Sequence, residues 1–230
     1  LIAEGFEEIE AITLIDLLRR ANYDLKTVSI NRNIEIQGAH KIKIITDMVF
    51  DDVNFDDTDV LILPGGVPGV PNLASENKVL NLVKKFYTEK KYIVAICAAP
   101  FILERANILL NKNVTCYPTW EDKITSAKIK KSNVIIDDKV ITAKGIGAAI
   151  DLGLKLVEIF SSTKDKSSKA QLLNRIARNY RKMRRFRSAI REYQNISTGY
   201  PENVTSSGLP LTLIARLQII ECYQQSKENY

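Results

Sequence analysis

The sequence predicts a three-layer α/β/α sandwich built on a parallel sheet, followed by an all-α, helical-repeat-like appendage. Short apolar runs alternate with helix-period segments, the order that builds β-α-β units and parallel sheets. Two of those runs, Val60-Leu61-Ile62-Leu63 and Tyr92-Ile93-Val94-Ala95-Ile96, are apolar throughout, as strands covered on both faces are. Charge predicts the second part. Residues 1–163 hold 20 Lys and Arg against 22 Asp and Glu, a net −2, whereas residues 164–230 hold 13 against 5, a net +8. A change of sign at one point marks two units. The expected organisation is an α/β domain over 1–162, a linker over 163–168 within a polar run, and a basic helical segment over 169–230.

Leu1-Ile2-Ala3 reads as the end of a strand that begins before the given sequence. The acidic turn Glu4 to Glu8 opens a helix over Glu8 to Ala21, and a strand follows at Lys26 to Ile30. The run Val60 to Leu63 precedes a helix over Glu76 to Glu89, and Tyr92 to Ile96 precedes one over Pro100 to Ala106. Val114-Thr115-Cys116 is a further strand, Val134 to Thr142 reads as a hairpin, and a helix over Ala148 to Phe160 closes the domain. From Lys169 onward the pattern is helical only. Leu173, Ile176, Ala177, Tyr180, Phe186, Ala189, Tyr193, Ile196 and Pro201 have spacings that resemble one tetratricopeptide repeat, and Leu211 to Gln225 resembles the first helix of another. So few repeats do not bury a continuous core, so the segment is expected to pack on something else or stay loose.

The 230 residues are 45% hydrophobic, enough for a packed core, and no apolar stretch approaches the roughly 18 residues of a membrane span. Three cysteines, Cys97, Cys116 and Cys222, are an odd number without framework spacing, which fits a reducing compartment; the cytoplasm is the expected location.

Cys97 stands where a strand turns into a helix. A helix start carries unpaired N–H groups and partial positive charge, which stabilise a thiolate and lower the thiol pKa. The alternative is a small packed hydrophobe. In open α/β sheets the ligand crevice lies beyond the carboxyl ends of the strands, so the loops there converge. Here they are Glu4 to Glu10, Pro64-Gly65-Gly66, Cys97 and Gly145-Ile146-Gly147. Unobstructed glycine amides stabilise a developing oxyanion, so Gly65 and Gly66, with the Ala98 amide, are the oxyanion candidates; a tight turn is the structural alternative. The sequence holds no metal-ligand cluster and no dinucleotide fingerprint, so neither metal nor cofactor is expected.

Ala3-Glu4-Gly5-Phe6-Glu7-Glu8-Ile9-Glu10-Ala11, Leu63-Pro64-Gly65-Gly66, Ala95-Ile96-Cys97-Ala98-Ala99-Pro100 and Tyr117-Pro118-Thr119 resemble, in order and spacing, the DJ-1/ThiJ-like branch of the DJ-1/PfpI superfamily. The resemblance covers about residues 1–162. It implies a flavodoxin-like fold, Cys97 as nucleophile on a strained turn, and Glu10 as the acid hydrogen-bonded to its sulfur. A carboxyl buried beside a thiolate holds its proton because of desolvation and like charge, so it can donate to sulfur and shuttle that proton. The implied activity is glutathione-independent, glyoxalase III-like conversion of methylglyoxal to lactate, with deglycase-type action included. The implied assembly is a homodimer through this domain, with Arg19-Arg20 at the interface.

Many members place a histidine near the cysteine where this chain has Tyr117, and the single histidine, His40, lies in another segment, so both residues receive secondary roles. Ile146 replaces a proline common in the family, and Cys116 is a resolving thiol or a packing residue. The alternative function is redox sensing, in a stress-response or chaperone-like protein, through oxidation of Cys97 held by Glu10. Arg181-Lys182-Met183-Arg184-Arg185-Phe186-Arg187 has the charge of a phosphate-binding patch, but its place at the turn between two helices reads better as solvated charge. The expected partners are a small aldehyde, a second copy of the chain and a protein for the helical segment, with neither nucleic acid nor membrane among them.

Overall fold

The computed structural model describes residues 1–160, 166–200 and 209–227. Its elements in chain order begin with helix α1 (Glu8–Arg20), strands β1 (Val28–Ser29), β2 (Glu35–Gln37), β3 (Lys43–Ile45), β4 (Met48–Val49) and β5 (Val60–Leu63). Helices α2 (Gly69–Ser75) and α3 (Asn77–Thr88) lead to β6 (Tyr92–Ile96), and α4 (Pro100–Arg105) leads to β7 (Asn113–Val114). The hairpin β9 (Val134–Asp137) and β10 (Val140–Ala143) follows β8 (Lys128–Ile129), before α5 (Ala149–Phe160). Three helices come last: α6 (Lys166–Lys182), α7 (Phe186–Gly199) and α8 (Leu211–Lys227).

The main sheet runs β5-β6-β10-β9. Strands β5 and β10 flank β6 in parallel, and β9 is antiparallel to β10. The sheet is therefore mixed rather than wholly parallel. The cause is local: Asp138 and Lys139 link β9 to β10, Asp138 takes a φ of 57°, and a two-residue link joins only antiparallel neighbours. Ile2 bridges Ser29 in parallel and the Leu1 nitrogen donates to the Ile62 carbonyl at 2.8 Å, so the first residues lie between β1 and β5.

Both faces of the central strands are buried. Leu61, Leu63, Ile93 and Ala95 join one apolar cluster with Val70 and Leu73 of α2, Val79, Val83 and Phe86 of α3, and Ile102 and Leu103 of α4. Val94 and Ile96 alternate to the other face and are equally buried. Helices α1 and α5 approach closely at Gly153, where a Cβ would lie 2.5 Å from Leu17 Cδ1. The hairpin of β2 and β3 was not anticipated, because its outward residues, such as Ile45 at 75% exposed, carry no apolar alternation. Nor were α2, β4 and β8, each of two to seven residues.

The chain divides into two compact units between Lys155 and Leu156, inside α5. In the second, α6 packs on α7 and α7 on α8. Leu173, Ile176, Ala177 and Tyr180 of α6, Ala189, Tyr193 and Ile196 of α7, and Leu211, Ala215 and Cys222 of α8 are buried. Arg181 closes the set with an ion pair to Glu221 at 3.1 Å. The basic run spans the turn from α6 to α7, where Arg184 has a φ of 57°. The expected linker lies outside the described residues as far as residue 165, and α6 begins at Lys166; Pro201 also lies outside them. Among the described residues no helix is long and apolar enough to cross a membrane.

Phe86 is fully buried in the cluster that also holds the single tryptophan, Trp120, whose fluorescence reports on the first unit. Phe86→Ala is expected to destabilise that unit by about 3–5 kcal/mol in urea melts followed at Trp120. Ile45→Ala, at the exposed hairpin edge, is expected to change it by less than about 0.5 kcal/mol. Equal effects of the two would contradict this placement of the core.

Candidate active site

The site begins with a backbone constraint. Strand β6 is held in register by β5 as far as Ala95 and by β10 as far as its last residue, Ile96, and Pro100 opens α4 at the position where its missing N–H costs nothing. The three residues between must reverse the chain. Cys97 does so at a φ of 63°, a left-handed conformation that costs a non-glycine residue about 1–3 kcal/mol. Two hydrogen bonds hold it there. The Cys97 N–H donates to the Ala143 carbonyl at 2.9 Å, and the Tyr117 N–H donates to the Cys97 carbonyl at 2.8 Å.

Glu10 reaches the same place from the first turn of α1. The side chain of Glu7 caps that helix by accepting the Glu10 N–H at 2.9 Å. Glu10 itself is fully buried, and its Oε2 accepts the Gly65 N–H at 2.9 Å. A side chain at Gly65 is impossible, since its Cβ would lie 2.5 Å from Glu10 Oε2 and 2.6 Å from Cys97 Cβ. The Gly65 amide is thus committed to Glu10. The Gly66 and Ala98 amides are the two that hydrogen-bond the Cys97 sulfur, so of the three expected oxyanion donors these two are the ones not committed to Glu10; Gly66 takes a φ of 107°.

The electrostatics differ from a simple helix-start effect. Burial pushes the Cys97 thiol up, the Glu10 carboxylate adds to this, and the Ala98 and Gly66 amides pull it down by less. The expected net lowering is overturned because the thiol is largely buried beside an acid. Burial also pushes Glu10 up to about 7, against the Cys97 and Gly65 hydrogen bonds and with some help from Glu7. Two acids this close titrate as a pair: the one that ionises first keeps the other protonated. Glu10 Oε1 is buried, and apart from the Cys97 thiol no group among the described residues is placed to donate to it. A proton on that oxygen removes the desolvation cost of a bare carboxylate and gives the sulfur a donor.

Gly145, at the turn after β10, forms another wall. Its φ is 153°, and a Cβ there would lie 3.3 Å from Tyr117 Cδ2, 3.7 Å from Glu10 Oε1 and 3.9 Å from Cys97 Sγ. The structure therefore brings together Cys97, Glu10, Gly65, Gly66, Ala98 and Tyr117. It does not bring in His40, which is exposed and hydrogen-bonded through Nδ1 to Glu8 Oε2 at 2.9 Å. That bond raises the His40 pKa, and it helps to hold Glu8 below the usual carboxylate range although burial pushes the other way. Glu7, Glu8 and His40 present ligand atoms within 4.8 Å of one another, but these acids already serve as helix cap and loop anchor. Cys116 is buried in the core cluster, where burial pushes its thiol up to about 11. Arg19 and Arg20 pair within the chain, with Asp47 and Asp16.

Sequence reading named the Gly145 turn but not its contact with both reactive groups. The signal was there: a glycine two residues after a strand that ends level with Ile96, the residue before Cys97. It also missed the Ala143 carbonyl, which is invisible to side-chain patterns.

The chain is similar to known proteins over its first unit. It is 34% identical over 160 residues to the protein DJ-1 homolog A of Arabidopsis thaliana, covering 69% of this chain and 41% of that one. The chain thus spans less than half the length of that relative. It is 37% identical over 158 residues to the glutathione-independent glyoxalase DJR-1.2 of Caenorhabditis elegans, covering 67% of this chain and 83% of the other. Among solved structures, oxidized Toxoplasma gondii DJ-1 superposes with a TM-score of 0.70 at 27% identity, over 77% of this chain and 94% of its own. Residues 1–159 match the DJ-1/PfpI family, more than two thirds of the sequence. With a thiol, an acid and two glycine loops carried in that stretch, the chain belongs to the DJ-1/PfpI family.

Proposed function

We propose that the first unit is a cysteine enzyme acting on small reactive aldehydes, converting methylglyoxal to lactate without glutathione, with deglycase-type action as a consequence. The observation that carries this reading is the buried Glu10–Cys97 pair, whose acid oxygen Oε1 has no other donor. The glyoxalase name of the worm relative supports it. In the reactive state the sulfur carries the charge and Glu10 the proton. The Cys97 thiolate adds to the aldehyde carbon, and Glu10 gives its proton to the new alkoxide, which forms beside the Gly66 and Ala98 amides. The Glu10 carboxylate then takes the hydrogen from that carbon as a proton and returns it to the neighbouring carbonyl carbon, while the hydroxyl proton passes from the first oxygen to the second. This leaves a 2-hydroxy thioester, and water cleaves it to the hydroxy acid and the free thiol. The sum is aldehyde plus water, with no external oxidant or reductant.

A second reading rests on the same pair, and the oxidized state of the Toxoplasma relative favours it. Oxidation of Cys97 to a sulfinate would place oxygens where Glu10, Gly66 and Ala98 can donate to them, as in a redox sensor. In either reading the assembly is a homodimer, with Ile9 and Ile12 on the outer face of α1 as its apolar contacts. The second unit is a tetratricopeptide-like module for a protein partner.

Cys97→Ala is expected to abolish methylglyoxal conversion, and Glu10→Gln to lower kcat on the order of 10²–10⁴-fold, measured as lactate formed. Unchanged turnover in the alanine variant ends the enzyme reading. If the sensor reading is right, mild peroxide adds two oxygens selectively at Cys97 by mass spectrometry, over Cys116 and Cys222.

Alkylation of Cys97 by iodoacetamide has a defined pH dependence. Below the midpoint both groups hold protons; above it the pair carries one charge, so the rate rises with pH as that first proton leaves. Glutamine cannot supply the acidic proton, so Glu10→Gln is expected to move the midpoint up and to slow alkylation at neutral pH. Faster neutral alkylation in that variant would place the charge on the carboxylate and contradict the proposed reactive state.

A further inference from the structure

Helix α8 is apolar on two opposite faces. Leu211, Ala215 and Cys222 make up the face that is buried where α8 packs on α7, and Gln218 in the same row accepts the Tyr193 hydroxyl at 3.4 Å. Leu213, Leu217, Ile220 and Tyr223 follow one another at spacings of four, three and three residues, which puts them in one stripe on the opposite side. Each of the four is between 51% and 54% exposed. A single exposed leucine is ordinary, whereas four large apolar side chains in a row about 15 Å long mark a contact surface.

The stripe has basic margins. Arg216 comes three residues after Leu213 and four before Ile220, so it lies on the same side of the helix as both. On the other margin Glu221, four residues after Leu217, bonds Arg181 of α6 at 3.1 Å and so sets that turn of α6 beside the stripe. Arg178 and Lys182, one helical turn apart around Arg181, are exposed, as is Arg216. No acid is left to neutralise them. Among the described residues from Lys166 onward the acids are Glu192 and Glu221, and these pair with Arg191 and Arg181.

We propose that the outer face of α8 docks an acidic amphipathic helix of another protein. Its apolar row lies along Leu213, Leu217, Ile220 and Tyr223, and its carboxylates meet Arg216 on one margin and Arg178 and Lys182 on the other. The proposal rests on the reading of the second unit as a protein-binding module and names the chemistry of its partner. Charge selects the occupant: a second copy brings the same net +8 over residues 164–230, so two such faces repel each other. A helix suits the stripe because a row spaced by three and four residues is what a facing helix packs against, as α7 does on the other side of α8. The apolar row supplies affinity, while the margins set partner choice and orientation.

The test is fluorescence anisotropy on the full chain with three labelled peptides of about four helical turns. One carries leucines in a row with glutamates on both margins, one has lysines in place of the glutamates, and one is a scramble of the first. The acidic amphipathic peptide is expected to bind at least about tenfold tighter than either control, with a preference over the lysine peptide that shrinks as salt is added. Leu217→Glu is expected to weaken that binding by about tenfold or more without loss of helicity by circular dichroism. Arg178→Glu combined with Arg216→Glu is expected to turn the preference towards the lysine peptide. No binding of the acidic peptide, or binding unchanged by Leu217→Glu, overturns the proposal. Equal binding of the lysine or scrambled peptide, lost in Leu217→Glu, overturns the acidic helix and leaves a protein-binding module. Self-association in sedimentation, or binding to phosphatidylserine vesicles in place of the peptide, lost in Leu217→Glu, overturns both.

Discussion

The left-handed backbone at Cys97 is the constraint on which the rest of the site depends. A strand locked on both sides and a helix opened by proline leave the chain no relaxed route between Ile96 and Pro100, and the strain falls on the one residue whose side chain must face outward. The two bonds that hold it come from other strand ends. One is the Ala143 carbonyl at the end of β10; the other is the Tyr117 amide, three residues beyond β7. Both also fix what surrounds the thiol. Ala143 leads directly into the Gly145 turn, and Tyr117 carries the aromatic wall. The same bonds that set the sulfur in position therefore set the groups that meet its reaction partner.

Proton sharing between Glu10 and Cys97 follows from burial more than from the helix. A thiolate at a helix start gains from the dipole, but the Cys97 sulfur lies against a buried carboxyl, and two charges in so dry a place repel strongly. One negative charge is what the pair can hold at neutral pH. The Gly65 amide already satisfies one oxygen of Glu10, while Oε1 is left with no donor but the Cys97 thiol. An acid with one oxygen fully bonded and the other bare is arranged to hold a proton on the bare side, facing the sulfur's neighbourhood. Glu7 reinforces this, since its nearby charge raises Glu10 further while its own oxygen is occupied in capping α1.

The central strands were legible because burial on both faces forces an unbroken apolar run, and Val60–Leu63 and Tyr92–Ile96 are strands over those same residues. The site residues were legible because chemistry at strand ends needs unusual residues there: a cysteine before Ala-Ala-Pro, paired glycines after Leu63, an acid two residues past a helix start. The rest was hidden for physical reasons. The β2 and β3 pair is exposed on one side and only three residues long per strand, so nothing in its composition separates it from a loop. His40 lies in the loop that joins its two strands, and its attachment to Glu8 depends on where that hairpin folds. The direction of the thiol shift was misjudged because sequence shows a helix start but not how deeply the sulfur is buried. In the second unit both the shared charge and the apolar spacing of α6 and α7 were visible: Leu173, Ile176, Ala177, Tyr180, Ala189, Tyr193 and Ile196 are buried.

Three glycines shape the site in two different ways. Gly65 lacks a side chain so that Glu10 and Cys97 can close on its amide; any Cβ would strike both. At Gly66 a Cβ would run into the backbone of the loop before α1, 2.5 Å from the Gly5 carbonyl oxygen. Gly145 is constrained by its backbone instead. A Cβ there would lie 3.3 Å from the Tyr117 ring, a tight contact, and the φ of 153° strains any side chain at this position. The first two omissions bring backbone close to the reactive pair, and the third lets the chain turn beside it after β10. Filling the first two positions disrupts the pair itself, whereas filling the third strains the turn and presses on the Tyr117 ring.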